Sequence, residues 1–181
     1  ESLRQAASSD GCRKNLAALG NARVLGTPGG QKTGERQRAK GAVGNLAKKF
    51  HAPIYGIYGF VRFADEIVDS FHHYDKNKLL TKFKEDTWEA IESGISLNPV
   101  LNSFQHVTKK YGIEKELIET FLESMEMDLN KKFYDRKLYK QYILGSAEVV
   151  GLMCLKVFCE GDNKLYESLK YPAMKLGAAF Q

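Results

Sequence analysis

The sequence predicts an all-α fold built as a packed bundle of helices. From residue 46 onward, apolar residues recur with the 3.6-residue period of a helix, and no alternating strand pattern persists. Gly94, Gly112 and Gly161 close apolar segments at intervals that suit short connections between neighbouring helices. The 181 residues are enough for one domain with a sizeable core.

Six helical segments are expected along the chain. Pro53 suits the first turn of the first segment, and glycines end the second, third and fifth. The turn SLNPV separates the second segment from the third. The six segments are expected at residues 53–73, 77–93, 99–111, 114–132, 136–160 and 163–180.

The first 44 residues differ in composition from the rest of the chain. They contain no aromatic residue, are rich in glycine and basic residues, and show no helical or strand period. We expect residues 1–45 to be a flexible basic leader, dispensable for folding, outside a helical domain at residues 46–181. The segment GTPGGQKTG lacks the spacing of a phosphate-binding loop, so none is predicted there.

The net charge of +5 comes from this leader. Residues 1–49 carry 10 Lys or Arg and 3 Asp or Glu, whereas the remaining 132 residues carry 17 and 19. The nearly neutral body argues against a nucleic-acid binder.

The three cysteines have no metal-ligand spacing, which favours a reducing compartment without a disulfide framework. Cys154 and Cys159 lie in the most apolar stretch of the chain and are expected to be buried thiols. Because Glu148 and Lys156 interrupt this stretch, it is interpreted as a buried helix and not as a membrane span.

The stretch YGFVRFADEIVDS places charged residues inside an otherwise apolar helix. Tyr58, Arg62, Asp65 and Asp69 lie at i, i+4, i+7 and i+11, which is one stripe. The adjacent apolar stripe contains Ile57, Val61, Ala64 and Val68. Two carboxylates one turn apart suit a Mg²⁺ ion that bridges to substrate phosphates, and Arg62 suits a diphosphate. The alternative is a surface ion pair between Arg62 and Asp65 or Asp69.

Two later helices carry related signals. In LIETFLESMEMDLNKKF, Asp128 shares a face with Phe121 and Met125, where a carboxylate requires a partner. The alternative there is an ion-paired acid near the helix end. One face of YKQYILGSAEVVGLM contains Tyr142, Gly145, Ser146 and Val149. The small residues on this face leave room for either a neighbouring helix or a ligand.

Together these motifs resemble the squalene/phytoene synthase family of head-to-head prenyl-diphosphate synthases. YGFVRFADEIVD resembles the family's first aspartate-rich motif, MEMDL its MxxDL segment, and YILGSAEVVG its YxxGxAxxVG helix. LGAAFQ is similar to the start of the helix that carries the second aspartate-rich motif. The resemblance covers about residues 46–181 and implies an isoprenoid synthase helical bundle.

The resemblance implies a role for each matched residue. Asp65, Glu66 and Asp69 would hold Mg²⁺, with Mn²⁺ as an alternative metal. Three residues would have catalytic roles. Tyr142 would line the reaction centre, and Arg62 and Tyr58 would contact the diphosphate. The residues expected to contact substrate are Arg62, Tyr58, Asp128, Gly145, Ser146, Val149 and Gln181.

The implied reaction joins two prenyl diphosphates through a cyclopropylcarbinyl diphosphate, in carotenoid biosynthesis. FADEIVD and the short loops most resemble bacterial phytoene synthases, which use two geranylgeranyl diphosphates. A squalene or dehydrosqualene synthase using two farnesyl diphosphates is the alternative. Squalene formation would also need NADPH, for which the sequence shows no glycine-rich fingerprint. A non-catalytic helical assembly factor of the same fold is a second alternative.

The resemblance also sets expectations about cellular context and completeness. We expect a cytoplasmic protein without a nucleic-acid partner, with peripheral association at the inner membrane face as an option for release of the apolar product. The family's second aspartate-rich motif should follow LGAAFQ shortly, beyond Gln181. We therefore expect a C-terminally truncated, inactive fragment with an unrelated N-terminal stretch.

Overall fold

The computed structural model describes residues 46–130 and 135–179, and all regular structure in these residues is helical. A short 3₁₀ turn at Lys48–Phe50 precedes the first helix. The six helices are α1 (His51–Ser70), α2 (Lys76–Ser93), α3 (Pro99–Tyr111), α4 (Lys115–Asn130), α5 (Arg136–Cys159) and α6 (Asn163–Ala178). The predicted all-α fold is confirmed. The predicted leader and Gln181 lie outside the described residues.

Local sequence signals determine where these helices begin and end. Four of them begin after a residue whose side-chain oxygen accepts a hydrogen bond from a backbone N–H group of the first turn. These N-cap residues are Asp75, Asn98, Asp135 and Asp162. Such caps satisfy N–H groups that have no partner inside the helix. Gly94 and Gly112 end α2 and α3 with φ angles of 77° and 61°, a left-handed conformation that glycine adopts readily. The predicted boundaries therefore lie close to the observed ones.

A stack of phenylalanine rings at the centre of the bundle determines how α1 is oriented. Phe60 is fully buried, and its ring centroid lies 3.9 Å from that of Phe104 on α3. The rings of Phe121 on α4 and Phe83 on α2 lie 5.3 and 5.6 Å from it. Each buried ring of this kind contributes roughly 1.5–3 kcal/mol. This face of α1 is therefore held inward, which leaves the stripe from Tyr58 to Asp69 on its other side.

The C-terminal half of α5 lies in the interior. Cys154 and Cys159 are buried, as predicted, and burial raises the pKa of Cys154 to about 12. Helix α5 is long and apolar enough to span a membrane, yet 61% of its most apolar 18-residue stretch is buried inside the protein. Its place in the core agrees with the interpretation as a buried helix.

Helices α5 and α6 approach so closely that their backbones touch. A Cβ atom on Gly151 would lie 2.9 Å from the carbonyl oxygen of Ala173, and one on Gly177 would lie 2.5 Å from that of Ala147. Real Cβ contacts are longer, so glycine is required at both positions. Ala147 belongs to a π-helical turn, Leu144–Glu148, that interrupts α5.

Candidate active site

The charged stripe of α1 lies at the edge of the core, as its period predicts. Tyr58, Arg62 and Asp65 are half-buried, and Asp69 is exposed. The adjacent stripe is interior, with Ile57, Val61, Ala64 and Val68 all at most 7% exposed. The predicted division of α1 into an apolar stripe and a charged stripe is therefore confirmed.

Arg62 is the centre of an ion-pair network within α1. Its Nη2 donates to Oε1 of Glu66 at 2.7 Å, and its Nη1 lies 3.9 Å from Oδ2 of Asp65. The sequence interpretation paired Arg62 with Asp65 or Asp69, whereas the structure makes Glu66 the nearer partner. The i, i+4 spacing of Arg62 and Glu66 was the available signal. These side chains are only about a quarter exposed, so the pair is partly shielded from water.

Asp65 is in a different electrostatic position from an ordinary surface carboxylate. Its pKa is raised from 3.8 to about 7. Burial is the largest cause, Arg62 acts in the opposite direction, and the charges of Asp69, Asp128 and Glu66 add to the rise. Near neutral pH, this carboxyl group therefore exchanges between its protonated and ionised forms. A bound cation would favour the ionised form.

Asp128 comes to this cluster from α4. Its helix packs on α1 through Phe121, which is fully buried beside Phe60, and Met125 is 3% exposed on the same face. Asp128 itself is half-buried, and its charge contributes to the raised pKa of Asp65. The structure thus brings together the acids of two sequence motifs that are about 60 residues apart.

The donor chemistry of this cluster fits a hard divalent cation. Asp65, Glu66 and Asp69 on α1 and Asp128 on α4 supply carboxylate oxygens, and Mg²⁺ commonly takes one or two carboxylates while it keeps several waters. Mutual repulsion among these acids is the strain that a cation would relieve. Among residues 46–130 and 135–179, however, no group of three or more His, Cys, Asp or Glu is already arranged to hold a metal. The residue types fit Mg²⁺, but the cluster is not preassembled.

The family model for squalene/phytoene synthase matches residues 42–181. The chain belongs to the squalene/phytoene synthase family. Searches of curated proteins and of solved structures returned no match. Members of this family are prenyltransferases that condense prenyl diphosphates head-to-head, and they generally use Mg²⁺ to ionise the substrate.

The α5 segment expected to line a synthase cavity also has a packing role. A Cβ atom on Gly145 would lie 2.6 Å from the carbonyl oxygen of Thr120 and 2.5 Å from Cβ of Ser124, so Gly145 permits close contact with α4. The close-packing alternative therefore accounts for this glycine. Ser146 donates its hydroxyl to the carbonyl oxygen of Tyr142 at 2.8 Å.

The other predicted contacts on this helix differ in exposure. Val149 is 3% exposed within the core, and Tyr142 is half-buried. Substrate contact by these two residues, and by Gly145 and Ser146, stays a prediction. Sequence reasoning did not identify the π turn Leu144–Glu148, which lies in the middle of this family motif. Such turns often occur at functional sites, but they have no simple sequence signature.

Proposed function

We propose that this protein is a Mg²⁺-dependent phytoene synthase that joins two geranylgeranyl diphosphates. The observation that carries the proposal is the electrostatic coupling of Asp65 to Asp69 and to Asp128, beside Arg62. A cation would neutralise the negative charge of Asp65, Asp69 and Asp128, and a diphosphate would pair with the guanidinium group of Arg62 and with the cation. In a chain of this family, that is the environment that a diphosphate leaving group requires.

The residues of α1 would bind the metal and the diphosphate. Asp65, Glu66 and Asp69 would hold Mg²⁺, or Mn²⁺ in its place, and the ion would supply positive charge for the departing diphosphate. Arg62 would exchange Glu66 for diphosphate oxygens, which its planar fork matches. This exchange would release the Glu66 carboxylate to join the other two acids. Tyr58 would donate to the same diphosphate.

The apolar surroundings would protect the allylic cation. We assign Tyr142 to the reaction centre, where its ring would stabilise positive charge. Gly145, Ser146, Val149 and Gln181 are assigned to the cavity wall. Exclusion of water by such a wall prevents premature capture of the cation.

Product identity rests on resemblance alone. FADEIVD favours phytoene, and squalene or dehydrosqualene from two farnesyl diphosphates is the second candidate, with NADPH needed only for squalene. We further propose a cytoplasmic protein that associates peripherally with the inner membrane face to release its apolar product. Flotation of the protein with phospholipid vesicles would test that association.

The deciding experiment is incubation with labelled geranylgeranyl and farnesyl diphosphates, each with and without Mg²⁺, followed by mass analysis of the hydrocarbon product. We expect Mg²⁺-dependent binding of geranylgeranyl diphosphate and, where turnover occurs, phytoene. Exclusive formation of a product from farnesyl diphosphate would select the second candidate. Absence of Mg²⁺-dependent binding of either substrate would contradict the proposed enzyme and favour the non-catalytic assembly factor.

A further inference from the structure

A groove of about 620 Å³ lies at the end of the bundle away from the acidic cluster. The start of α1, the end of α2 and one side of α3 form its walls. Pro53 in its wall and Asp65 are 12 residues apart on α1, which corresponds to about 18 Å along the helix. The groove is therefore separate from the predicted metal site. We call it the lysine groove.

Positive charge concentrates on the walls of the lysine groove. Lys49 and Lys110 line it directly. A Cβ atom on Gly94 would lie 2.7 Å from Nζ of Lys109, so a third ammonium group lies against the wall that Gly94 forms. These lysines come from two Lys-Lys pairs, at 48–49 and 109–110, which the fold brings to one place. Three ammonium groups around one concavity attract anions strongly.

Negative charge balances this concentration only in part. Of the described residues that line the lysine groove, none is Asp or Glu. Lys49 pairs with Glu160 at 2.5 Å, and Glu160 lines a neighbouring groove that Lys49 and Lys110 also border. Nζ of Lys110 lies 5.3 Å from the ring centroid of Tyr111. An aromatic ring does not neutralise the positive charge of the ammonium group.

Neutral donors complete the lining. Gln105 is only 6% exposed although its side chain is polar, and it lines the groove together with Asn102 and His106. Amide N–H groups and an imidazole can donate to the oxygens that the ammonium groups do not reach. The volume is that of a pocket for one small molecule, which is unlike the extended surface that a nucleic acid requires.

We propose that the lysine groove binds a small phosphate-bearing anion, at a site distinct from the acidic cluster and without a metal ion. Ammonium groups bind phosphate oxygens as point charges and need no bridging cation. This site goes beyond the proposed function, because its ligand binds in the absence of Mg²⁺. It is not a substrate site of the condensation reaction.

Calorimetric titration of the protein with inorganic diphosphate in EDTA at pH 7 tests the proposal. We expect saturable binding that Lys110→Gln weakens about fivefold or more, with Lys49→Gln weakening it less because Glu160 already neutralises that lysine. The control is Lys78→Gln, an exposed lysine at the other end of α2 that loses the same charge. We expect the control to bind diphosphate as the unchanged protein does.

Three results would overturn the proposal: no binding in EDTA, equal weakening by Lys110→Gln and Lys78→Gln, or tighter binding of a short single-stranded DNA than of diphosphate. Circular dichroism of each variant verifies that it is folded. Asp65→Asn should leave the EDTA titration unchanged, and Lys110→Gln should leave Mg²⁺-dependent binding at the acidic cluster unchanged. Failure of this site and failure of the proposed enzyme function are thereby distinguished.

Discussion

The carboxylates of Asp65 on α1 and Asp128 on α4 repel each other across the boundary between two helices. Asp128 is one of three acids that raise the pKa of Asp65, in addition to the larger effect of burial. Two like charges are held close only where something else fixes their positions. Here the packing of Phe60 against Phe121 holds α1 and α4 together. The cluster is therefore electrostatically unfavourable at neutral pH unless a proton or a cation occupies it.

The first prediction concerns stability and pH. The pKa of Asp65 is about 7 in the folded protein and about 3.8 when unfolded, so the folded state holds the proton more tightly. The stabilisation from this group is complete below about pH 4 and is lost as the pH rises through about 7. We expect Asp65→Asn to raise the free energy of unfolding at pH 8 by about 1–3 kcal/mol.

Urea unfolding at pH 5.5 and pH 8 measures this effect. Asp65→Asn should flatten the loss of stability between the two pH values. Glu119→Gln, which removes an exposed acid from α4, should retain the same loss as the unchanged protein. Equal pH dependence in Asp65→Asn and the unchanged protein would show that Asp65 titrates normally.

The second prediction concerns Mg²⁺. Because Mg²⁺ favours the ionised form of Asp65, its binding together with diphosphate should release a fraction of a proton at pH 7. Calorimetry in two buffers of different ionisation enthalpy measures that release. Asp65→Asn should abolish the release and Asp69→Asn should abolish the binding, with helicity nearly unchanged in both. If either variant unfolds and binding proves metal-independent, these acids are structural.

The third prediction concerns Gly145. A methyl group at this position would collide with the backbone oxygen of Thr120, which cannot move without shifting α4. We expect Gly145→Ala to lower the free energy of unfolding by about 1–3 kcal/mol. Gly59→Ala is the matched control, since its Cβ would lie 3.6 Å from Cγ1 of Val100, an ordinary contact. The control should be neutral or slightly stabilising, because alanine favours a helix. Equal urea midpoints for the two variants would contradict the close packing.

The fourth prediction concerns the ion pair between Lys156 and Glu114. Lys156 on α5 is 12% exposed, pairs with Glu114 and lies over the ring of Tyr166. Glu114→Ala would leave the ammonium group shielded and unpaired, so we expect a loss of about 1–3 kcal/mol. Lys156→Met should cost less, because the methionine keeps the apolar stem and the side chain of Glu114, at 41% exposed, is more open to water than that of Lys156. Urea unfolding of both variants checks this order, and the reverse order would contradict it.

The helices could be predicted because their signals are local. Asp75, Asn98 and Asp162 each cap a helix within three residues of themselves, and Gly94 and Gly112 end helices by their own backbone conformation. The charged stripe of α1 followed from the helical period for the same reason. The helix ends and the charged stripe depend only on residues that are close together in the chain, so they can be predicted from the sequence.

The remaining features depend on contacts between distant segments. The proximity of Asp128 to Asp65 results from the packing of α4 on α1, which no local spacing expresses. The lysine groove likewise needs Lys49 and Lys110, which are about 60 residues apart, on neighbouring walls. The sequence interpretation included the pairing of Arg62 with Asp65 but not the shorter one with Glu66, because several acids lie within reach of Arg62 and rotamers decide between them.

The π turn Leu144–Glu148 changes the side of α5 to which the residues before it point. It adds one residue to a turn of the helix, and one residue corresponds to about 100° of rotation. The glycine contacts with α4 and α6 fix the register at Gly145, inside this turn, and at Gly151, after it. If Gly151 keeps its contact with α6, deletion of one residue between the two glycines would turn both Gly145 and Tyr142 to another side of the helix, and the close contact of Gly145 with α4 would be lost. The length of this segment is therefore constrained as strictly as the identity of its residues.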